Sequence, residues 1–457
     1  MGSEDKAGQD AARLRSLAEA LVGAARKAGA DQADALAMRG QSTSIDVRCG
    51  TLEHADRAEG IEIGLRVLIG GRQACVSASD HSDSSIAEMA ARAVAMAREA
   101  PVDDTLALAD SNQLAAARDA GNLQIADDLP DPAPEGLQQI ALRAEAAALE
   151  AKGISQVESA NASFSRRYLW LAASNGFSGG YGRTTHAVSA VAITGEGLRM
   201  ERDYAAESRI WAEDLPEPEE IGRLAAERTL ARAGSRKPPT GAYPILYDRR
   251  VSASLIGHLL SAVNGSAVAR GASWLRKAMG EPVLPAGMDL TEDPLRPRYP
   301  SSRPFDAEGL ATAPRRIVAD GVLLGWTLDL ATGRKLGMDS TASAARGLAS
   351  PPSPANSNVV LTPGASSLDG LQVAMGTGLV VTSMLGASIN ATTGDYSRGA
   401  AGFWVENGQL AYPVNECTIA GNLRDMLMTL RAADDALPWR AAEVPSLLVE
   451  GMTVAGA

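Results

Sequence analysis

Residues 394–408 read GDYSRGAAGFWVENG and bring together a carboxylate, a phenol, a guanidinium and several glycines. Asp395, Tyr396 and Arg398 can form hydrogen bonds or carry charge, and Gly399 lets a backbone come close to another group because it has no Cβ. For Asp395 and Arg398 the spacing favours a local ion pair across a turn. The other interpretation is that Asp395, Tyr396, Arg398 and Gly399 contact a substrate or a partner subunit.

Histidine is the commonest metal ligand and general base in proteins, and the chain has four: His54, His81, His186 and His258. None belongs to an HExxH motif, in which two histidines one helical turn apart bind zinc and the glutamate acts as base. His258 lies in an apolar stretch that predicts a helix, where it serves either as a hydrogen-bond donor or as a ligand or catalytic group. Cys417 has no cationic neighbour in the sequence, which favours a buried structural thiol over a nucleophile.

The composition of the 457-residue chain excludes several classes of protein. Hydrophobic residues make up 45% and charged residues 21%, as in globular proteins. A net charge of −12 without a long basic run argues against a nucleic-acid partner. No run of about 18 apolar residues predicts a membrane span, and the first residues lack the apolar core of a secretory signal. Three cysteines without paired spacing are typical of a reducing compartment. We expect a cytoplasmic protein without a membrane partner.

The elements that must position these residues fall into two parts with different patterns. Residues 1–235 alternate between helical and strand patterns, and residues 241–457 are rich in strands, turns and glycines. Between them, AGSRKPPTGAY has the composition of an exposed linker. The sequence therefore predicts an α+β fold of two domains, with mixed or antiparallel sheets, helices and a strand-rich C-terminal domain. The order helix, strands, helix occurs twice in the first part and leaves an internal duplication open.

Periodicity and turn residues place the individual elements. Helices are predicted at 10–27, 84–99, 135–152, about 218–233, 251–263 and 419–436. Strands are predicted over 32–79, three more over 155–194, and further ones at 378–385 and 401–414, with residues 446–456 as a final strand. Tight turns are predicted at Gly70-Gly71, Asp320-Gly321 and Asn407-Gly408. A surface connection is predicted at 102–134 and a loop at 347–358.

Several of these stretches together resemble the PmbA/TldE branch of the TldD/PmbA family, also called modulators of DNA gyrase and understood as metalloprotease subunits. The resemblance extends over most of the chain in the expected order. The similar stretches are MERDYA (200–205), GHLLSAVNGSAV (257–268), RPFDAEG (303–309), MGTGLVVTSMLG (375–386), TGDYSRGAAGFWVENG (393–408) and TIAGNLRDM (418–426).

The resemblance implies a subunit that associates with a TldD-type subunit, the pair acting as a metalloprotease on unfolded or extended peptides. The TldD branch carries HExxxH on a helix, where two histidines bind zinc, the glutamate is the base and a downstream cysteine completes the ligands. In this chain Gly257 and Ala262 replace the two histidines, and His258 takes the place of the glutamate. Residues 378–382, where the cysteine is expected, contain none. The resemblance therefore implies no zinc in this subunit and zinc in a TldD-type partner.

Two alternatives remain at this point. The first is a self-sufficient metallopeptidase that binds metal through His258, Cys417 and an acidic side chain. The second is a homodimeric protein that binds peptides without cleaving them. In the favoured interpretation residues 394–408 line a chamber wall, a turn or the subunit interface, and a peptide adds to a strand edge of the second half.

Overall fold

The computed structural model describes residues 3–456, and its first part is an antiparallel sheet covered by helices. Between residues 32 and 209, six strands pair in the order β3-β2-β1-β4-β5-β6. Leu14, Ala18, Leu21 and Ala25 of the first helix recur every three or four residues and are buried, as expected for an amphipathic helix on a sheet. The elements of this part are α1 (Ser3–Lys27), β1 (Gln32–Arg48), β2 (Thr51–Ile69), β3 (Arg72–Ala78), α2 (Asp83–Glu99), α3 (Pro134–Leu149), β4 (Ile154–Ala173), β5 (Ser178–Thr194), β6 (Glu201–Arg209) and α4 (Pro218–Ala231).

The topology of this sheet repeats about its centre. Strands β1 and β4 pair along most of their length, from Asp34 opposite Ala173 to Val47 opposite Ala160. Each half of the sheet is built from one helix, three strands and one helix in the same order along the chain. The first half runs from α1 to α2 and the second half from α3 to α4. The repeated order seen in the sequence is therefore also a repeat of topology. Gly70 and Gly71 both have positive φ, at 53° and 72°, which confirms the predicted tight turn between β2 and β3.

The connection between α2 and α3 is more than the predicted surface segment. Leu108, Ala115 and Ile125 are buried, and Leu114 forms a β-bridge with Leu310 of the second part. The prediction failed because the apolar residues of this segment follow neither helical nor strand periodicity. They pack individually into the junction between the two parts of the chain.

The second part contains mixed sheets. Among residues 241–455, one sheet has the order β10-β9-β8-β13-β18 and another the order β16-β15-β14-β7-β19-β17, in which β16 also pairs with β19. Five of these strands, β7, β14, β15, β16 and β19, thus form a closed ring, which leaves no free edge within it. The elements are β7 (Gly241–Tyr247), α5 (Ala253–Ala262), α6 (Gly265–Ala269), β8 (Leu290–Glu292), β9 (Arg315–Ala319), β10 (Val322–Leu323), α7 (Leu330–Leu336), β11 (Ala344–Ala345), β12 (Ser353–Pro354), β13 (Val359–Leu361), α8 (Leu368–Met375), β14 (Gly378–Ile389), β15 (Asp395–Glu406), β16 (Gln409–Asn422), α9 (Leu423–Met428), β17 (Arg431–Ala432), β18 (Ala442–Glu443) and β19 (Leu447–Ala455).

The observed architecture is the predicted α+β class with a strand-rich C-terminal part. The turns at Asp320-Gly321 and Asn407-Gly408 are confirmed, since all four residues have positive φ, between 48° and 76°. The predicted linker lies between the end of α4 and the start of β7. Of the helices within residues 3–456, none combines the length and apolar character that crossing a membrane requires.

Two predictions of secondary structure are wrong. The helix predicted at 419–436 is shortened to α9, because Thr418, Ile419 and Ala420 pair with β19 and close the ring. Asn422 then begins α9, its side chain accepting a hydrogen bond from the backbone N–H of Arg424. The three strands predicted at 155–194 are two long strands, and the third strand of this unit, β6, follows Gly195.

Candidate functional site

Helix α5 carries the three residues predicted as a degenerate zinc motif. Its buried face consists of Leu255, Ile256, Leu259 and Ala262, so the apolar periodicity that predicted the helix also fixes its orientation. A Cβ added at Gly257 would meet no other atom within 4 Å. Neither Gly257 nor Ala262 has a side-chain atom that can coordinate a metal, which leaves His258 as the one donor among the three motif positions described here.

His258 faces an apolar and aromatic wall. Its ring lies edge-on to the ring of Tyr396, with the centroids 5.8 Å apart, and its Nε2 is buried without a hydrogen-bond partner among residues 3–456. Burial lowers the pKa of His258, and the nearby charge of Arg398 lowers it further. The imidazole is therefore neutral at neutral pH.

The wall behind His258 has few polar contacts. The hydroxyl of Tyr396 lies 3.5 Å from the Tyr247 hydroxyl and 3.4 Å from the Met384 Sδ. These distances are long for hydrogen bonds between oxygens, and thioethers are weak acceptors. Burial is the main cause of the raised pKa of both Tyr247 and Tyr396. This wall therefore offers neutral phenols and thioethers rather than charged ligands.

Cys417 is a buried thiol, as predicted. Its Sγ donates to the carbonyl oxygen of Ala400, 3.2 Å away on the neighbouring strand, and 4% of the residue is exposed. Burial raises the pKa of the thiol to about 11, so the free thiol of Cys417 is protonated at neutral pH and is a poor nucleophile. Within residues 3–456, no three His, Cys, Asp or Glu side chains lie close enough together to hold a metal ion.

The four predicted contact residues of β15 do not share one surface. Tyr396 is 3% exposed and belongs to the core, whereas Asp395 is exposed. Arg398 donates from Nε to the carbonyl oxygen of Gly386, 2.7 Å away. A Cβ at Gly399 would lie 3.1 Å from the carbonyl oxygen of Leu385. The close approach that Gly399 permits is therefore to the adjacent strand β14.

The ion pair suggested between Asp395 and Arg398 is absent from the described part of the chain. Both residues lie in an extended strand, and side chains three positions apart in a strand point to opposite faces. Asp395 instead accepts hydrogen bonds from the Thr393 hydroxyl at 2.6 Å and the Asn422 amide at 3.1 Å. These two bonds lower the pKa of the Asp395 carboxyl, which is ionised at neutral pH.

A large groove lies beside the start of β15, and we call it the Trp274 groove. Its volume is about 840 Å³, and its lining includes Trp274, Arg276, Lys277, Thr392, Arg424 and Met428. The backbone N–H of Trp274 donates to the Ala391 carbonyl at 2.9 Å. The guanidinium of Arg424 donates to the Trp274 carbonyl and lies 5.9 Å from the indole centroid.

The polar residues at the start of β15 support one wall of this groove. Asn422 bonds Asp395 through its amide and caps α9, the helix that carries Arg424. A Cβ at Gly394 would lie 3.5 Å from the Trp274 indole. The sequence analysis missed this groove, although the segment ASWLRK (272–277) sets an aromatic residue beside two cations. That combination is the signal that could have indicated it.

Family models account for almost the whole chain. Residues 33–97 match domain 1 of the PmbA/TldA metallopeptidases, residues 127–233 match their central domain and residues 240–456 match their C-terminal domain. The chain belongs to the PmbA/TldD metallopeptidase family. The first two models divide the N-terminal sheet between β3-β2-β1 and β4-β5-β6, so the topological repeat coincides with a division made within the family.

Individual relatives match over nearly their full length. The chain is 36% identical to the metalloprotease PmbA of Escherichia coli O157:H7, over 97% of both chains. It is 33% identical to the metalloprotease PmbA homolog of Haemophilus influenzae, over 97% of this chain and 96% of that one.

Solved structures share the fold. A proposed modulator of DNA gyrase from Bacteroides thetaiotaomicron superposes with a TM-score of 0.86 at 28% identity, over 97% of this chain and 98% of that chain. TldE from Thermococcus kodakarensis superposes with a TM-score of 0.83 over 96% and 99% of the two chains. At 18% identity the latter likeness concerns the fold alone.

Proposed function

We propose that this chain is the PmbA/TldE-type subunit of a cytoplasmic heteromeric metalloprotease that acts on unfolded or extended peptides. A TldD-type partner supplies the zinc, and this subunit shapes part of the peptide chamber. The proposal is supported by the metalloprotease PmbA relatives. The observation that carries it is the environment of α5, where the motif positions offer one imidazole and a wall of phenols and thioethers.

Zinc-dependent hydrolysis needs more than this helix provides. A catalytic zinc has three protein ligands and an open position, where it lowers the pKa of a bound water and polarises the peptide carbonyl. Gly257 and Ala262 contribute no donor, and among residues 3–456 no two further His, Cys, Asp or Glu side chains join His258 in a group that could hold a metal ion. His258 alone cannot hold the ion in the geometry that catalysis requires.

The Trp274 groove is the surface that we assign to peptide. Its volume lies within the range of ligand sites in proteins, and Leu275, Pro282, Val283 and Met428 add apolar surface to its lining. Arg276, Lys277 and Arg424 outnumber the acidic groups Glu281 and Asp425 along its lining. Peptide carbonyls and carboxylates are therefore the groups that it would bind best. The closed ring leaves no edge among its own strands, so addition of a peptide to a strand edge of the second half would use an end strand outside the ring, such as β10 or β18.

The two alternative functions differ in the metal ligands and in the partner subunit that each requires. A self-sufficient metallopeptidase needs His258, Cys417 and a carboxylate to converge, and the described residues place no carboxylate with them. A homodimeric peptide-binding protein needs no TldD-type subunit and gains no activity from one. The zinc content of the chain, together with peptide cleavage before and after mixing with a TldD-type subunit, distinguishes the three functions.

The deciding experiment measures zinc content and cleavage of an unfolded peptide by the chain alone, by a TldD-type subunit alone and by their mixture. We expect less than stoichiometric zinc in the chain alone, and cleavage that requires the mixed complex. A TldD-type subunit with alanines at its zinc-binding histidines serves as the matched control, since its mixture should assemble without activity. Stoichiometric zinc together with cleavage by this chain alone would overturn the proposal.

A further inference from the structure

A second concave surface lies at the junction of the two parts of the chain. This cleft of about 430 Å³ is formed by β6, α4, the residues that precede α5 and the segment around Arg440. Four guanidinium groups line it, together with a single carboxylate, Glu207, among its described lining residues. We call it the arginine cleft; its four arginines are Arg228, Arg249, Arg250 and Arg440.

Two of these arginines have carboxylate partners and two do not. Arg440 pairs with Glu207 at 2.5 Å, and Arg250 pairs with Asp203 at 3.2 Å. In contrast, Arg228 donates to the carbonyl oxygen of Tyr204 at 3.0 Å. Arg249 likewise bonds a carbonyl oxygen, that of Asp435, at 3.3 Å. Within residues 3–456, neither Arg228 nor Arg249 forms an ion pair with a carboxylate.

The positively charged guanidinium groups of the cleft repel one another. Burial lowers the pKa of Arg228, and the charges of Arg250 and Arg249 lower it further, against the opposing effect of Asp203 and Asp248. Both of those carboxylates already contact Arg250. Guanidinium groups remain charged at neutral pH, so the cleft keeps two positive charges without matching carboxylates in a chain of net charge −12.

The segment that holds Arg440 in the cleft is strained. Trp439 has a φ of 66°, a conformation that bulky residues rarely adopt. Its indole stacks on Tyr299, with ring centroids 5.5 Å apart and an angle of 27°. Strained backbone persists where surrounding contacts enforce it, and it is common at binding sites. In this case the stacked rings fix the direction in which the next residue, Arg440, enters the cleft.

We propose that the arginine cleft binds a small organic phosphate monoester. The phosphate lies between Arg228 and Arg249, and its two negative charges match their two unpaired guanidinium groups. The planar fork of arginine donors suits the oxygens of a phosphate. The rest of the ligand lies on the apolar side chains of Leu224 and Leu437, which are half-buried and line the same cleft. The volume exceeds that of a phosphate ion and leaves room for this organic part.

Calorimetric titration of the chain alone with phenyl phosphate, inorganic phosphate and phthalate tests the proposal, at about 0.15 M ionic strength to screen unspecific charge effects. We expect saturable binding of phenyl phosphate, weaker binding of inorganic phosphate and the weakest binding of the dicarboxylate. Because Arg249 is exposed, Arg249→Ala should fold normally and weaken phenyl phosphate about tenfold. Arg228→Ala should have a similar effect.

Arg316→Ala is the matched control, because Arg316 is an exposed arginine whose carboxylate contact, to Asp289, is long at 3.8 Å. Its affinity for phenyl phosphate should equal that of the unmodified chain. Equal weakening by Arg249→Ala and Arg316→Ala would overturn the proposal, as would the absence of saturable binding. Phthalate that binds as tightly as phenyl phosphate would overturn the assignment to a phosphate. All of these measurements are independent of peptide cleavage and of any TldD-type partner.

Discussion

The two faces of β15 lead into opposite environments. On one face Tyr396 packs against His258 in a core of aromatic rings and thioethers. On the other face, one residue earlier, Asp395 is held at the surface by Thr393 and Asn422 beside the Trp274 groove. A strand with alternating side chains thus separates the packed surroundings of His258 from a polar, solvated surface.

The difference shows how one segment can serve two purposes. The inner face stabilises the closed ring and packs beside α5 through His258. The outer face supports a groove large enough for part of a peptide. Substitutions on the inner face should therefore act on stability, and substitutions around the groove should act on binding.

The largest effect is expected from Tyr396→Ala. Removing a buried aromatic side chain leaves a cavity, and such changes lower the free energy of unfolding by about 3–5 kcal/mol. Tyr396→Phe keeps the ring and loses only the long hydroxyl contacts, so it should cost less than about 1 kcal/mol. Urea denaturation followed by circular dichroism measures both. Equal losses for the two variants would contradict the packing role of the ring.

The next largest effect is expected from Arg424→Ala on peptide binding. The variant removes a cation that lies over Trp274 and donates to its carbonyl group, and a cation and its bonds at such a site contribute about a tenfold difference in affinity. Fluorescence anisotropy of a labelled unfolded peptide measures the change, with Arg316→Ala as the control for charge. Unchanged affinity in Arg424→Ala would exclude the Trp274 groove as the peptide site.

The comparison also shows which features could be predicted from the sequence. The α5 helix and the turns at Asp320-Gly321 and Asn407-Gly408 follow from local periodicity and turn chemistry. The side chains of Asp395 and Arg398 point to opposite faces because both residues lie in a strand. The sequence analysis placed them in a turn and therefore did not predict this separation.

Other features depend on contacts distant in sequence. Strand β16 continues through Ile419 because β15 pairs with it on one side and β19, more than 30 residues later, on the other. The helical pattern after Asn422 gives no sign of that pairing. The two candidate binding surfaces are similar cases, since Trp274 meets Arg424, and Arg228 meets Arg249, only after the chain has folded.

A smaller effect is expected from His258, which packs against the inner face of β15. Its imidazole should make the free energy of unfolding depend on pH. The pKa of His258 is lowered in the folded chain, mainly by burial, whereas an unfolded histidine titrates near 6.5. Between the two values the unfolded chain binds the proton and the folded chain does not, so stability falls as the pH drops below about 6.5. His258→Leu should remove this contribution.

Urea denaturation at about pH 7.5 and pH 5.5 measures the contribution of His258. The loss of stability on acidification should be smaller in His258→Leu by a few tenths of a kcal/mol, because partial exposure of the ring weakens the effect. His186, whose pKa is also lowered by burial, is present in both chains and cancels from the difference. An unchanged pH dependence would show that His258 accepts a proton freely in the folded chain.

The smallest effect is expected from Asp395→Asn on the outer face. Hydrogen bonds from Thr393 and Asn422 lower the pKa of Asp395 below that of an unfolded aspartate, so its contribution to stability is present above about pH 4 and is lost as the pH falls through the folded value. The variant should therefore be less stable than the unmodified chain at neutral pH, and the gap between their urea midpoints should narrow progressively as the pH falls below about 4. Tyr396→Phe should show no such narrowing, since the phenol stays neutral throughout. A gap that persists in acid would mean that Asp395 acts through the geometry of its hydrogen bonds, which asparagine cannot reproduce, and not through its charge.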